Sequence, residues 1–229
     1  MLFFITFANG RVLLTFSLFS PHDRLASLLL PHSGGCVGAT DGSHDFSHLL
    51  RVWKNATIIS DNEGGDTEIL AAAVLLHDCV AVEKNSPERP LASRKSAQRA
   101  REILTDIGWE QERQDKVAHA IEAHSFSGGI EPVTLEARIV QDADRLDAIG
   151  MIGAARCFYV AGRLNNHLYD AGDPSAEERP LNDSRFALDH FMTKLFKLCE
   201  GFKTATGRKL AAERHARLQR FYDDLLEEI

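Results

Sequence analysis

The strongest restriction on the fold comes from an apolar run, Ala71 to Val82, which is interrupted only by the adjacent His77 and Asp78. Its length and its Ala/Leu content favour a buried helix over a strand. An ionised carboxylate is costly to bury unless it is paired or bound to a cation. Adjacent helical side chains point about 100° apart, so these two meet only at a point between them. A metal ion is one such point. The alternative is a hydrogen-bonded core histidine beside an aspartate–arginine pair.

Two other segments carry side chains suited to the same site. His48 follows Ser-His-Asp-Phe-Ser upstream of the apolar run, and Asp144 lies in Gln-Asp-Ala-Asp-Arg-Leu-Asp downstream. The order along the chain is therefore His, His-Asp and Asp, on three predicted helices. Spacing alone does not choose among Asp142, Asp144 and Asp147.

This order resembles the HD-domain superfamily of metal-dependent phosphohydrolases. His-x-x-Arg-Val, an apolar helix that ends in His-Asp, and Ala-Asp-Arg-Leu occur in the family's order. Lys-Asn-Ser-Pro and Ala-His-Ser-Phe-Ser further resemble a bacterial branch that includes nucleoside triphosphate pyrophosphohydrolases. The resemblance covers residues 41–229 and implies an all-α helical bundle. It also implies one divalent metal ion, with four ligands: His48, His77, Asp78 and Asp144.

The resemblance selects Asp144, the aspartate before Arg-Leu, and gives His77 and Asp78 a catalytic role. Imidazole and carboxylate donors without a thiolate suit Mn, Fe, Co, Ni, Zn or Mg. Two adjacent positions depart from the family's guanosine tetraphosphate hydrolases, which carry a Glu-Asp pair where this chain has Ala81 and Val82. Either Glu83 replaces that pair or a metal ion alone activates the water, so the general base and the phosphate count of the substrate stay open.

Cations and histidines near these motifs are candidates for substrate binding. Lys84, which we also predict to act in catalysis, and Arg89 follow the His-Asp pair in a polar loop, where they would meet phosphate oxygens. The alternative is that both are solvated loop charges. His119 and His124 on a later predicted helix are further phosphate-binding candidates. His44, one turn before the first metal ligand, is either a site residue or a polar residue at a helix start.

Composition narrows the classes of partner. A net charge of −7 and a pI near 5.8 argue against a duplex nucleic-acid partner, which requires a basic surface. The widely spaced cysteines indicate free thiols in a reducing compartment, and we therefore expect a cytoplasmic protein without a membrane partner. The oligomeric state is open and includes a homo-oligomer. The cysteines are Cys36, Cys79, Cys157 and Cys199.

From residue 43 onward the pattern predicts helices only, joined by polar turns and by one long loop at 163–183. Asp45 or Ser43, Asp66, Ser93 and Thr134 are suited to begin four of the helices as N-caps. The predicted helices cover about residues 45–60, 67–82, 93–107, 111–124, 134–161, 184–198 and 206–228.

The first forty residues differ from the rest. Two apolar runs, 2–8 and 12–19, flank Asn9-Gly10, which is a hairpin signal. A secretory signal is an alternative, but Arg11 interrupts the apolar stretch and no basic residue precedes it. A third alternative is that translation starts further downstream. We predict that residues 1–40 are an extension outside the core, removable without loss of folding, and that residues 41–229 form the domain.

These observations together predict hydrolysis of phosphate ester or anhydride bonds in nucleotides or similar small phosphorylated molecules. A second hypothesis is a non-catalytic nucleotide- or metal-sensing module with the same fold, which the loss of a ligand would favour. A third is oxygen activation by two irons, which would require further histidine or carboxylate ligands.

Overall fold

Helices make up most of the regular structure. The computed structural model describes residues 3–7, 10–14, 16–34, 45–82, 88–125 and 128–229, with the backbone alone at 3–7, 10–14, 16–17 and 89. The all-α bundle predicted from the sequence is confirmed. The α-helices are α1 (Asp23–Leu29), α2 (Phe46–Glu63), α3 (Thr67–Leu76), α4 (Ala92–Asp106), α5 (Gln111–His124), α6 (Leu135–Asp147), α7 (Gly150–Arg163), α8 (Asp189–Thr193) and α9 (Ala205–Glu227).

Four helices begin where a side chain accepts a backbone N–H of the first turn. Asp45 accepts from His48 N at the start of α2, and Asp66 accepts from the first turn of α3. Thr134 and Thr204 do the same for α6 and α9. Such caps satisfy N–H groups that lack an intrahelical partner and each contributes about 1 kcal/mol. The predicted caps at Asp45, Asp66 and Thr134 are confirmed. The predicted cap at Ser93 is wrong, because Ser93 already lies inside α4, whose N-cap Leu91 makes no side-chain cap bond.

Helix α3 lies at the centre of the main core. Every residue from Ile69 to Leu76 is buried, and α3 packs against α1, α2, α5 and α6. A helix that is apolar on all faces has to be surrounded by others. The helix ends at Leu76 with His77 as its C-cap, earlier than the predicted end at residue 82. The His-Asp pair therefore lies in a turn at the edge of the core.

The predicted helix 134–161 is wrong as one continuous element, because the chain breaks between α6 and α7. Gly150 has a φ of +69°, a left-handed conformation that L side chains rarely adopt. A Cβ at this position would also lie 3.1 Å from Arg214 Cβ. The break allows α7 to turn away and pack against α9.

The predicted helix 184–198 is also wrong. Only α8 and a following 3₁₀ helix, Leu195–Cys199, form there. The segment before α8 instead bonds to the long loop, since Ala187 N and Leu188 N donate to the carbonyls of His167 and Leu168. The predicted long loop is confirmed, and it is fastened by Arg179, whose guanidinium donates to both oxygens of the buried Asp189.

The N-terminal region contains the predicted hairpin. Strands β1 (Phe3–Phe7) and β2 (Gly10–Leu14) pair antiparallel, with Phe7 opposite Gly10. Residues 19–30 follow it and enter the main core, where Phe19 stacks on Trp53 at 5.9 Å between ring centroids. The prediction that residues 1–40 lie outside the core is therefore wrong for 19–30, because α1 covers one face of α3. In the described ranges, no helix has the length and apolarity that crossing a bilayer requires.

Candidate metal centre

The C-terminal end of α3 presents the first site residue. His77 is fully buried, and its Nδ1 lies 2.8 Å from Val74 O in the same helix. A carbonyl oxygen only accepts, so Nδ1 donates and the lone pair is on Nε2. The last carbonyls of a helix lack intrahelical partners, and the imidazole satisfies one of them. His77 Nε2 is thereby directed away from its own helix.

Helix α5 ends with the same arrangement. His124 Nδ1 lies 2.6 Å from Ile121 O, which directs His124 Nε2 outward as well. The rings of His77 and His124 meet edge to face, with centroids 4.9 Å apart. Two helix C-termini therefore face one region, and their partial negative charge favours a cation there.

His48, in the first turn of α2, is oriented differently. Its Nδ1 lies 2.8 Å from Asp147 Oδ2, and its Nε2 lies 3.2 Å from His77 Nε2. Asp147 also accepts from Arg51 Nε at 2.5 Å, Arg51 Nη2 at 3.0 Å and Arg156 Nη1 at 3.3 Å. A carboxylate held by two guanidinium groups remains an acceptor, so His48 Nδ1 carries the proton.

Two carboxylates complete the cluster. Asp144 Oδ1 is 3.4 Å from His48 Nε2 and 3.9 Å from His77 Nε2. Asp78 Oδ2 is 3.6 Å from His77 Nε2, and its other oxygen, Oδ1, is 3.7 Å from His124 Nε2. The two histidines deepest in the site are buried, whereas Asp78 and Asp144 are about one third exposed (33% and 29%). The structure thus brings together the four predicted ligands and places His124 beside them.

This donor set fits a divalent metal ion. With the Nδ1 proton assigned above, neutral His48 has a lone pair on Nε2, as His77 does, and two such acceptors 3.2 Å apart repel each other unless a proton or a metal ion lies between them. The candidate ligand atoms of His48, His77 and Asp78 lie within 4.8 Å of one another. Ligands at about 2.0–2.2 Å from one ion are separated by up to about 4.3 Å, so small shifts bring all of them into a coordination sphere.

The protonation of the two inner histidines differs. Burial lowers the pKa of His77, which keeps it in the neutral form that binds a metal. Burial acts in the same direction on His48, but the hydrogen bond to Asp147 and the surrounding carboxylates outweigh it and raise the pKa of His48. A proton therefore competes with a metal ion mainly at His48, and acid should weaken binding.

The carboxyl group of Asp147 remains ionised despite its burial. Burial raises the pKa of Asp147, but the hydrogen bonds from His48 and Arg51 outweigh that effect and lower it overall. Its proximity to His48 was not predicted from the sequence, where Asp147 was one of three aspartates among which spacing did not choose. Asp147 lies one helical turn after Asp144, so a shared helix face was the available signal.

The other aspartate in the motif has a structural position. Asp142 is fully buried and accepts the backbone N–H groups of Lys203 and Thr204 and the Thr204 hydroxyl. It thereby anchors the start of α9. A Cβ at position 207 would approach Asp142 Oδ2 to 2.3 Å, so Gly207 is required at this junction. Of the three aspartates, only Asp144 has described contacts with imidazole Nε2 atoms.

The remaining predicted site residues lie elsewhere or outside the described residues. His119 Nε2 accepts the backbone N–H of Val133 at 3.1 Å, and its described contacts include none with the cluster. Its ring holds the segment before α6, which accounts for a polar side chain at this position. His44, Lys84 and the side chain of Arg89 lie outside the described residues.

Comparisons with known proteins show similarity to HD-domain proteins. A family model, the HD domain, matches residues 45–149. YpgQ of Bacillus subtilis (strain 168) is 35% identical over 190 residues, covering 81% of this chain and 84% of that protein. The crystal structure of an HD-superfamily hydrolase from Bacillus thuringiensis superposes with a TM-score of 0.68 at 29% identity, covering 90% of this chain and 97% of that one. A crystal structure of YpgQ in complex with ADP superposes with a TM-score of 0.67 at 30% identity, covering 90% of this chain and 95% of that one.

Proposed function

The chain belongs to the HD-domain superfamily, and we propose that it hydrolyses phosphate ester or anhydride bonds of nucleotides with the help of one bound divalent metal ion. The observation that carries the proposal is the convergence of imidazole Nε2 atoms and carboxylate oxygens at the ends of α3 and α5. These groups belong to His48, His77, Asp78, His124 and Asp144.

A divalent ion bound by these residues would lower the pKa of a coordinated water toward 7 and polarise a phosphoryl oxygen. The protein would hold the ion from behind with the buried His48 and His77. The partly exposed carboxylates of Asp78 and Asp144 lie on the solvent side, so a substrate phosphate would enter past them. In an octahedral shell, four side-chain ligands leave up to about two coordination positions for water and a phosphate oxygen.

His124 is the best candidate for direct contact with the phosphate. His124 Nε2 lies 3.7 Å from Asp78 Oδ1, while His77 Nε2 lies 3.6 Å from Asp78 Oδ2, so His124 lies beside the proposed metal position. An imidazolium there would donate a hydrogen bond to a phosphate oxygen and reduce the charge that develops during transfer. Lys84 and Arg89 join the proposal from the sequence alone, as cations that follow the His-Asp turn.

A nucleotide is the favoured substrate class. A relative with 35% identity, YpgQ, crystallises with ADP, and the motifs of this chain resemble those of nucleoside triphosphate pyrophosphohydrolases. We therefore propose release of pyrophosphate from a nucleoside triphosphate as the specific reaction. The cytoplasmic location inferred from the cysteines remains part of this proposal.

The two alternatives make different demands on the site. A sensing module would tolerate the loss of a ligand, yet all four candidate ligands are present and meet. Two irons would need additional ligands, and His124 is the one extra imidazole that the described part of the chain brings into ring contact with the cluster.

Metal analysis and a product screen test the proposal. The purified protein would be stripped with a chelator, reloaded with Mn²⁺ or Co²⁺, and incubated with nucleoside mono-, di- and triphosphates while phosphate and pyrophosphate are measured separately. We expect one ion per chain and pyrophosphate release from triphosphates. Metal binding without hydrolysis of any nucleotide would favour the sensing module, and two irons per chain would favour oxygen activation.

A further inference from the structure

We propose that Asp147 is a positioning residue that fixes the tautomer and the ring direction of His48 and thereby sets the affinity for the metal ion. The inference rests on the proposed metal site. It assigns a role to a residue that does not itself face the position of the ion. The contact that carries it joins His48 Nδ1 to Asp147 Oδ2 at 2.8 Å, across 99 residues of sequence.

Three imidazoles face the site, and two of them are oriented within their own helix. His77 and His124 lie at helix C-terminal ends, where each donates to the carbonyl three residues earlier. His48 lies in the first turn of α2. At that end of a helix the unpaired backbone groups are N–H donors, not carbonyl acceptors. His48 therefore needs an acceptor from elsewhere in the fold, and Asp147 supplies it.

The acceptor is itself held in one orientation. Asp147 is 1% exposed, and Arg51 donates to both of its oxygens while Arg156 donates to Oδ2. These guanidinium groups keep the buried carboxyl ionised and aligned. An ionised carboxylate accepts only, so it excludes the His48 tautomer that would place a proton on Nε2. The lone pair of His48 Nε2 is thus available where Asp144 and His77 converge.

A purely structural role for Asp147 is less consistent with its surroundings. The same helices are fastened independently one residue away, since Arg214 donates to Leu146 O at 2.5 Å and to Asn55 Oδ1 at 2.6 Å. Asn55 in turn donates to Ala143 O at 2.9 Å. Helix α2 therefore stays tied to α6 and α9 when the Asp147 carboxylate is altered.

Metal affinity of the Asp147→Asn variant tests the inference. The amide keeps the shape but loses the charge, and it presents an NH₂ group to either the imidazole or a guanidinium. We expect Mn²⁺ binding, measured by calorimetry, to weaken about 10–100-fold. The visible absorption of the Co²⁺-loaded protein should change as well, because the ligand field changes when His48 rotates.

Asp189→Asn is the matched control. Asp189 is also 1% exposed and also accepts two hydrogen bonds from one arginine, Arg179, but it has no described contact with the metal cluster. We expect this variant to melt at a lower temperature and to keep Mn²⁺ affinity within about twofold of the wild type.

The outcomes separate this inference from the proposed function. A wild-type protein that binds no metal refutes the metal site itself. A wild-type protein that binds Mn²⁺, together with an Asp147→Asn variant that binds it within twofold, overturns only the role of Asp147. If Asp147→Asn does not fold, Arg51→Gln decides, because Arg51 is partly exposed and donates to both oxygens of this carboxylate. Unchanged affinity and an unchanged Co²⁺ spectrum in that variant overturn the inference, and weaker Mn²⁺ binding supports it.

Discussion

Two buried aspartates, Asp147 in the bundle around α3 and Asp189 under the long loop, solve one physical problem in similar ways. Each side chain is 1% exposed, and each accepts two hydrogen bonds from one arginine. Burial of a carboxylate is costly, and the guanidinium offsets much of that cost. The ion pair alone therefore does not indicate function.

The two clusters differ in a further group that donates a hydrogen bond to each carboxylate besides the arginines. Asp189 accepts the backbone N–H of Asn182 at 2.6 Å, which ties a loop to α8. Asp147 accepts from His48, a side chain whose opposite nitrogen faces the Asp144 carboxylate and another imidazole. The same kind of charge pair thus fastens backbone in the half of the molecule around α8. In the half around α3, it directs a candidate metal ligand. The predictions below test whether chemistry is confined to the half around α3.

Removal of a candidate ligand should have the largest effect. We expect His77→Ala or Asp78→Ala to lose the bound metal and all hydrolysis while retaining most helix content, because the lone pair or charge that holds the ion is gone. Metal content by elemental analysis, nucleotide hydrolysis and circular dichroism would be measured together. His190→Ala, which removes an imidazole paired with Asp183 outside the cluster, is the control. Wild-type metal stoichiometry in either ligand variant would show that the assignment is wrong.

Truncation of the N-terminus should have the next largest effect, and only in the half around α3. Deletion of residues 1–34 removes several buried apolar side chains, which include Phe19 and Leu29. Each contributes about 1.5–3 kcal/mol, and together they approach the whole stability of a typical domain, about 5–15 kcal/mol. Deletion of residues 1–15, which spares this segment, is the matched control. Thermal melts should separate the two, and equal melting temperatures would restore the boundary predicted at residue 41.

Substitution of Lys84 should have an intermediate effect on activity and should leave the metal content unchanged. If Lys84 contacts the substrate phosphates, Lys84→Ala should raise the activation free energy by about 1.5–3 kcal/mol. This lowers kcat/KM roughly tenfold to more than a hundredfold. The loss should grow with phosphate count, and Lys84→Arg should recover only part of it. Metal content is the internal control. Losses within about twofold of each other for mono- and triphosphates would indicate a solvated loop charge.

Asp189→Ala should have the smallest effect on chemistry. It leaves the Asn182 N–H without its acceptor, which costs about 1–3 kcal/mol of stability. We expect a lower denaturant midpoint in urea melts with unchanged kcat/KM. A large loss of activity in a variant that still binds metal would mean that the two halves are coupled, and that the contrast drawn above does not hold.

The sequence predicted those features that depend on local chemistry. The N-caps at Asp45, Asp66 and Thr134 follow from side chains that bond to their own first turn. The meeting of His48, His77, Asp78 and Asp144 was predicted because a sequence resemblance orders motifs that lie far apart in the chain. Neither inference requires knowledge of the packing between helices.

Features that depend on packing were missed. The break at Gly150 reflects a residue in the left-handed conformation packed against Arg214. The apolar periodicity on both sides of this residue predicts a helix, so the break has no signal in the pattern. The entry of residues 19–30 into the core depends on a face of α3 that α1 covers and the other helices do not, which a sequence does not display. The link from Asp147 to His48 joins α6 to α2 across a hydrogen bond with no local signature.

The orientation of His77 by Val74 O within its own helix has a consequence for divergence among related enzymes. The imidazole moves with α3 as a unit, so its aim does not depend on the residues that follow the turn. We therefore expect substitutions, insertions or grafts after Val82 to leave the direction of this candidate metal ligand unchanged. We expect substrate preference to be the readily engineered property of this scaffold and metal binding to be the inherited one.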